Sequence, residues 1–417
     1  MTTLLTRGAL FPILGLLPLA SASAEGFIDD SKLKLQLRNV YFNENFRDEH
    51  GMSARAARTA KSERTEWAQG FLLDYQSGFT PGTLGFGVDA LGLLGVKLDS
   101  GRGRSGTGLL PMHDDGRAAD EFASAGMTAK ARLAKTTLKY GTLLPKTPVL
   151  VYNDARLLPQ TYQGTQISSN DIDNLTVSGG HLERFKLRDS SDSMPIVPDG
   201  YSGDKSGDFN YAGADYKLGK HVRLSYFYGE LENFYRQNFV GIQHDLTLGA
   251  GVLTSDLRYF NSVDSGSAYG GKIDNDMLSG SLSYAVVGHT LSAGYQTLGG
   301  EAGLPYVSGA TVYSFSNAGI GKFIEEDEKT WMLGYGYDFA RLGVPGLTFS
   351  TRYLSGNDGK SGTTVKEWER DAEIAYVVQQ GTFKGLGVKL RNYVYRSDFS
   401  RGRDSNRIYV TYDIALW

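Results

Sequence analysis

Residues 67–96, WAQGFLLDYQSGFTPGTLGFGVDALGLLGV, decide the fold class of this chain. Two long runs of β-forming residues flank the short turn Thr80-Pro81-Gly82-Thr83, and so short a connection joins only antiparallel neighbours. A period of two residues places alternate side chains of the second run on opposite faces, which predicts a β-strand. One face is apolar and the other is small or polar: Leu84, Phe86, Val88 and Ala90 against Gly85, Gly87 and Asp89.

The same alternation recurs in residues 222–229, 278–284, 291–296 and 331–338. Short connections such as 219–221 and 286–289 lie within hairpins, whereas longer polar links, 99–122, 188–208 and 299–328, lie between hairpins. We count about eighteen strands, from 33–42 to 407–416. Short turns at one rim and long loops at the other are typical of a bacterial outer-membrane barrel, with the turns periplasmic and the loops extracellular.

The N-terminus predicts a secretory signal peptide. The basic Arg7 precedes an apolar stretch, residues 9–20, and the small residues Ala22-Ser23-Ala24 follow it. We expect cleavage after Ala24, which makes residues 1–24 the signal peptide and residues 25–417 the barrel domain. A buried N-terminal helix is the alternative, but Pro12 and Pro18 would break it.

Composition excludes several classes of protein. The 417 residues contain 0 Cys, which rules out disulfides and thiolate metal sites, and the net charge of -3 argues against nucleic acid as a partner. After the signal peptide no apolar run approaches the ~20 residues of a membrane helix. A soluble β-sandwich or a parallel β-helix is the alternative fold, but a sandwich would expose a charged face. The 25 Tyr, 20 Phe and 4 Trp suit two aromatic girdles, so we predict an all-β, membrane-spanning antiparallel barrel in contact with outer-membrane lipids.

No motif in the chain indicates catalysis. The spacing Gly101-x-Gly103-x-x-Gly106 imitates a dinucleotide-binding turn, but Pro111 and a second turn follow where a helix is required. The 6 His include no His-Glu-x-x-His, and no Gly-x-Ser-x-Gly is present. We therefore predict no enzyme, no cofactor, no metal site and no catalytic residue. A hydrolase embedded in the barrel stays a remote alternative, because catalytic triads are assembled in space.

Alternation also predicts which charges face the lumen. In residues 385–398 the apolar face contains Leu386, Val388 and Leu390, which places Lys389 and Arg391 on the other face. A Lys or Arg facing lipid near the midplane costs roughly 2–4 kcal/mol, so such cations should point inward. Each cation taken alone is equally well explained as a solvated wall residue. The same argument assigns to the lumen the cations Arg38, Lys130, Arg132, Arg352 and Arg407, and the acids Asp215, Asp338, Asp371 and Glu373.

Several segments resemble the OprD family of substrate-specific outer-membrane channels of pseudomonads. They include RTEWAQGFLLDYQSGFTPGTLGFGVDALGLLGVKL, DARLLPQTYQG, GELENFYRQNF, VPGLTFSTRYLSGND and the closing NRIYV. The resemblance implies eighteen strands, loops that fold into the pore, and a basic ladder that guides a substrate carboxylate. It adds Arg156 in DARLLPQT and Arg188 in KLRDSS to that ladder. At Gly334 this chain has glycine where a cation is expected in relatives.

Within the family, HDDGRAADEF, RLLPQT, LRDSSDSMP and KEWERDAEIAYVVQQG resemble the OccK branch more than the OccD branch. The resemblance implies passive uptake of small carboxylates, favouring cyclic or aromatic ones, by a monomer or weak homotrimer. An OccD-like channel for basic amino acids and a non-selective diffusion porin are the alternatives. The identity of the carboxylate, the constricting loop and the ladder residues that touch the solute stay open at this point.

Overall fold

The computed structural model describes residues 26–360 and 364–417. The predicted signal peptide, residues 1–24, lies outside the described residues. Eighteen long strands form one antiparallel sheet, joined at one place by the two-residue strand Met194–Pro195, and residues 146–151 form a small separate hairpin. The long strands are β1 (Lys32–Phe46), β2 (Glu63–Gln76), β3 (Leu84–Ser100), β4 (Glu121–Leu133), β5 (Thr136–Leu143), β6 (Thr161–Ser169), β7 (Leu175–Lys186), β8 (Phe209–Leu218), β9 (Val222–Leu231), β10 (Tyr235–Leu248), β11 (Gly251–Asp264), β12 (Asp274–Val286), β13 (His289–Gly300), β14 (Lys329–Asp338), β15 (Leu347–Lys360), β16 (Thr364–Val377), β17 (Gly387–Ser397) and β18 (Arg403–Ala415).

The sheet closes on itself because β18 pairs with β1, from Lys34 opposite Ala415 to Phe46 opposite Arg403. Closure confirms the predicted barrel and its strand number. The described helices are short, α1 (Ala54–Ala57) and a 3-10 turn (Phe339–Leu342), and neither could span a membrane. Every long strand therefore has two hydrogen-bonded neighbours, which leaves no open sheet edge.

The outer wall is apolar, as the alternation predicts. Phe86, assigned to the apolar face, is 54% exposed, and Leu333 and Met127 on other strands are 57% and 67% exposed. Towards the long-loop end, Tyr353 packs against Trp331 and Trp368, with ring centroids 5.3 and 5.7 Å apart. An exposed apolar band bordered by aromatic rings is the surface that a bilayer covers.

The connections at one rim are tight. The link between β12 and β13 is Val287-Gly288, with φ of 49° and 83°, a left-handed pair that suits a two-residue hairpin turn. At the other rim the connections 101–120, 187–208 and 301–328 are long. The glycine motif of residues 101–106 belongs to the first of these loops and opens no helix.

Loops fill one side of the barrel. A buried apolar cluster joins Val149, Ile196, Leu304 and Val307 from loops to inward side chains of strands β6 to β12, such as Phe239. A second cluster packs Leu157 and Leu158 against Val40, Phe42 and Ala68 of β1 and β2. Open space remains along the wall formed by β13 to β18 and β1, with a smaller cavity of about 230 Å³ against β3 to β7.

Candidate functional site

Strand pairing arranges the inward residues of this open wall in two parallel rows that cross the strands. Because paired residues in adjacent antiparallel strands point the same way, a row read across the strands stays on one face. The first row is Thr290, Gly336, Ser350, Glu373, Arg391, Arg407 and Phe42. The second row is Ser292, Gly334, Arg352, Asp371, Tyr393 and Ser405.

Two cavities lie along this wall. The large cavity has a volume of about 570 Å³ and is bounded by both rows and by Ala318 and Gly319 of residues 301–328, here called the Gly319 loop. The small cavity, of about 320 Å³, lies beside Arg38, Lys389 and Tyr409. Both cavities are lined by Ala155 and Arg156 of residues 144–160, here called the Arg156 loop. Arg156 thus stands where the two cavities adjoin.

Four of the cations on this wall are neutralised by acids. Arg352 Nε donates to Asp371 Oδ2 at 2.8 Å, and Arg38 Nη1 donates to Asp154 Oδ1 at 2.6 Å. Glu373 accepts from Arg391 and also faces Lys389 Nζ at 3.5 Å, so a single carboxylate serves two cations. The ion pairs fix these side chains and reduce the charge they present to a solute.

Three further guanidinium groups form a cluster without such neutralisation. Among residues 26–360 and 364–417, no carboxylate lies within 4.0 Å of Arg156, Arg188 or Arg407. Arg407 is only 3% exposed and lies between the rings of Phe42 and Tyr393, 4.4 and 4.3 Å from their centroids. It donates to the carbonyl of Gly319 at 3.0 Å, which ties the Gly319 loop to β18.

Arg156 is the half-buried member of this cluster. Its guanidinium lies 4.7 Å from the Phe42 ring centroid, on a ring that Arg407 also contacts, and its Nε donates to the Thr107 carbonyl at 3.2 Å. Removal from bulk water, followed by repulsion from Arg407 and Arg188, holds the pKa of Arg156 well below its usual range. Because the surroundings of Arg156 disfavour its positive charge, a bound anion would stabilise the charged guanidinium.

The remaining predicted residues lie away from both cavities. Lys130 is paired with Asp89 and donates to the Ser77 carbonyl at 2.7 Å, and Arg132 covers the Phe79 ring at 4.2 Å. They occupy the inner wall near the short-turn end of β4, where they line neither of the two cavities.

Two of the predicted acids differ from the expected arrangement. Asp215 accepts a hydrogen bond from Ser225 on the neighbouring strand, far around the barrel from the ladder. Asp338 stands at the end of β14, where its Oδ1 accepts from the backbone N–H of Ala340 at 2.9 Å and caps the 3-10 turn. Neither opposes a cation of the open wall. Asp371 and Glu373 do face those cations, through Arg352 and through Arg391 and Lys389.

The structure also shows site residues that the sequence interpretation missed. Phe42 shares the inward face of β1 with Arg38, so alternation could have identified it as a large aromatic residue turned towards the lumen. Asp154 had no comparable signal, because it lies in a loop and its partner Arg38 is 116 residues away in the chain.

Comparison with known proteins agrees with this architecture. Residues 25–416 match the family model described as outer membrane porin, OprD family. The porin-like protein GalP of Pseudomonas putida is 38% identical over 410 residues, covering 97% of each chain. Porin D of Pseudomonas aeruginosa is 33% identical over 423 residues, 95% of this chain and 93% of its own.

Solved structures give the same result. OccK9 (OpdG) of Pseudomonas aeruginosa superposes with a TM-score of 0.90 at 41% identity, covering 94% of this chain and all 100% of its own. OpdK of the same organism, solved with vanillate, gives a TM-score of 0.88 at 39% identity, with coverage of 94% and 100%.

Proposed function

Because the chain belongs to the OprD family of outer-membrane porins, we propose that it is a substrate-selective channel for passive uptake of small carboxylates, chiefly cyclic or aromatic ones. The observation that carries the proposal is the position of Arg156. It borders both cavities and belongs to the cluster of guanidinium groups without a carboxylate partner. A carboxylate that passes from one cavity to the other must move within reach of it.

The charges along the wall suit transport better than trapping. A guanidinium and a carboxylate ~4 Å apart attract by up to ~4 kcal/mol at an effective dielectric constant near 20, before desolvation. Conduction requires binding that is favourable but reversible. The paired cations Arg352, Arg391 and Lys389 present weaker attraction than Arg156, and they continue the path on both sides of it.

Aromatic side chains beside the cations support cyclic and aromatic solutes. Phe42, Tyr393 and Tyr409 each lie against at least one guanidinium of the wall. The structural neighbour OpdK was solved with vanillate, an aromatic carboxylate. The proposed partner is therefore a small-molecule carboxylate. Some of the nine proposed ladder residues line the two cavities, and the others lie elsewhere in the barrel.

The alternatives fit the wall less well. A channel for basic amino acids needs acids free to meet a cationic side chain, but Asp371, Glu373 and Asp154 are each paired with a cation already. A non-selective porin needs a wide aqueous lumen, whereas two loops narrow this one. The relatives are porins, which are channels, and the hydrolase alternative gains no support from them.

The test compares Arg156 with an arginine of the lumen that lies away from both cavities. In bilayer recordings of the refolded protein, we expect benzoate to interrupt the single-channel current, and Arg156→Ala to weaken benzoate binding roughly 10- to 100-fold, the loss of one charge-assisted hydrogen-bonded contact. Arg132→Ala is the matched control, because Arg132 also covers a ring in the lumen but lines neither cavity.

We expect the Arg132→Ala variant to bind benzoate as the wild type does. Equal losses in both variants, or unchanged binding in Arg156→Ala, would remove Arg156 from the mechanism. Current that no carboxylate interrupts, at any concentration, would favour the non-selective porin.

A further inference from the structure

The part of the large cavity's wall that is formed by β13 to β15 has an unusual composition. It presents three hydroxyl side chains, Thr290, Ser292 and Ser350, interleaved with Gly334 and Gly336 on the intervening strand β14. Arg352, which is paired with Asp371, and Met332 adjoin these residues on the same wall. The wall therefore passes from a cationic and aromatic part on β16 to β18 to a part richer in hydroxyl groups and bare backbone on β13 to β15.

The three hydroxyl groups have no side-chain hydrogen-bond partner among the described residues. Within residues 26–360 and 364–417, none of Thr290, Ser292 and Ser350 donates or accepts a side-chain hydrogen bond; Thr290 and Ser292 are half-buried at the cavity surface and Ser350 is exposed there. Hydroxyl groups nearby are engaged: Ser405 Oγ accepts from Arg407 at 3.1 Å, and Ser316 Oγ donates to Gln296 at 3.1 Å. The free hydroxyl groups are thus available to whatever occupies the cavity.

The two glycines keep these hydroxyl groups accessible. A Cβ atom at Gly334 would lie 2.4 Å from Ser292 Oγ, and one at Gly336 would lie 3.6 Å from Thr290 Cβ. A larger side chain at Gly334 would cover Ser292, and one at Gly336 would fill the space in front of Thr290. The family resemblance implies a cation at position 334; such a side chain would occupy this space, and Gly334 leaves it open.

The spacing of the strands places the hydroxyl groups beside the carboxylate contacts on the same wall. Ser350 and Arg391 lie in the same cross-strand row, separated by the single strand that carries Glu373. Two inter-strand spacings put their Cα atoms roughly 10 Å apart. A ring that lies along this wall with its carboxylate at Arg391 therefore brings its remote edge towards Ser350.

We propose that Thr290, Ser292 and Ser350 form a hydroxyl-recognition subsite, which selects cyclic or aromatic carboxylates that bear hydroxyl groups on the side remote from the carboxylate. The inference rests on the proposed carboxylate channel and names its substrate class. A hydroxyl of the solute both donates to and accepts from these side chains. An unsubstituted ring would displace water from them and return no hydrogen bond, which costs affinity.

The experiment compares benzoate with 4-hydroxybenzoate in bilayer recordings. We expect the wild type to bind 4-hydroxybenzoate about 3- to 10-fold more tightly, the range that one net hydrogen bond supplies. The triple variant Thr290→Val, Ser292→Ala, Ser350→Ala should lose this preference and keep its affinity for benzoate. Ser178→Ala is the control, since Ser178 belongs to β7 in the packed half of the barrel and lines neither cavity.

The outcomes separate the subsite from the channel. Equal binding of the two solutes by the wild type, or a preference that survives in the triple variant, overturns the subsite and leaves the carboxylate channel intact. If neither solute binds the wild type, the proposed function fails and the subsite fails with it. A parallel loss of affinity for both solutes in the triple variant would show a change of pore shape, and it would also overturn hydroxyl recognition.

Discussion

At the scale of single residues, the pairing of a cation decides what it offers to a solute. Arg391 and Arg156 both line the cavities, yet Arg391 shares Glu373 with Lys389 and Arg156 has no acid within ion-pair distance among the described residues. The Glu373 carboxylate therefore lowers the attraction of both Arg391 and Lys389 for an anion. Position on the inward face makes a cation available, and its acidic neighbour sets how strongly it binds.

Removing that carboxylate should strengthen anion binding. We expect Glu373→Gln to release Arg391 and Lys389, to raise benzoate affinity about 3- to 10-fold and to shift the reversal potential in a KCl gradient towards anion selectivity. Asp215→Asn is the matched control, because Asp215 faces the lumen but contacts Ser225 and no ladder cation. Weaker benzoate binding in Glu373→Gln would show that the acid orients the two cations more than it neutralises them.

At the scale of strands and loops, β16 connects the ladder to the Gly319 loop. Its inward side chains are acids at every second position: Glu367, Glu369, Asp371 and Glu373. Asp371 and Glu373 meet cations, whereas Glu369 accepts from the backbone N–H groups of Ile320 and Gly321 at 2.9 and 2.6 Å. The same strand therefore sets the charge of the wall and holds the loop that narrows the passage.

The attachment of the Gly319 loop to the barrel wall should depend on pH, because Glu328 lies at the end of this loop. Burial, together with repulsion from Glu367, raises the pKa of Glu328 from 4.5 to about 9. The folded loop then binds the proton more tightly than the detached loop, so this contribution is complete below pH 4.5 and is lost as the pH rises through about 9. We expect current noise to increase between about pH 6 and pH 10 in the wild type and to stay flat in Glu328→Gln.

The control for this titration lies in the same loop. Glu301 is exposed and pairs with Lys272, whose hydrogen bond lowers the pKa of the Glu301 carboxyl, so Glu301→Gln should leave the rise in noise unchanged. Noise independent of pH in the wild type would contradict the role of Glu328, as would a rise that persists in Glu328→Gln.

Sequence reasoning predicted which strand residues line the lumen better than it predicted the contacts that those residues make. Alternation of two residues places Arg391 and Arg407 on the inward face, because lipid penalises the other orientation strongly and at every strand. The same rule carries no information about loops, so Arg156 and Arg188 came from family resemblance alone. Nor does alternation show that Asp338 sits at the end of its strand, where a free backbone N–H captures its carboxylate.

At the scale of the whole molecule, the barrel is half filled. Strands β6 to β12 enclose an apolar cluster like that of a soluble protein, and water-accessible cavities follow β13 to β18 and β1. The charges of the wall consequently act across a narrow space, where their fields overlap more than they would in an open pore of eighteen strands.

This overlap should make carboxylate binding depend on salt. The Debye length falls from ~10 Å at 0.1 M to ~3 Å at 1 M, so we expect benzoate affinity to fall at least about threefold over that range of KCl. Arg156→Ala should show a shallower slope, because it lacks the cation without an acidic partner, and Arg132→Ala should keep the wild-type slope. Affinity insensitive to salt in the wild type would indicate that contacts other than charge hold the solute.

The filled half also bears on how such chains diversify. Apart from the Arg156 loop and β1, the passage is built by residues 289–415, whereas the packed scaffold is built mainly by residues 143–312. The lining and the packed cluster thus occupy largely different stretches of the chain. Because no described residue of 329–415 belongs to that cluster, recombination limited to this stretch would exchange one lining for another while the packed scaffold is inherited unchanged.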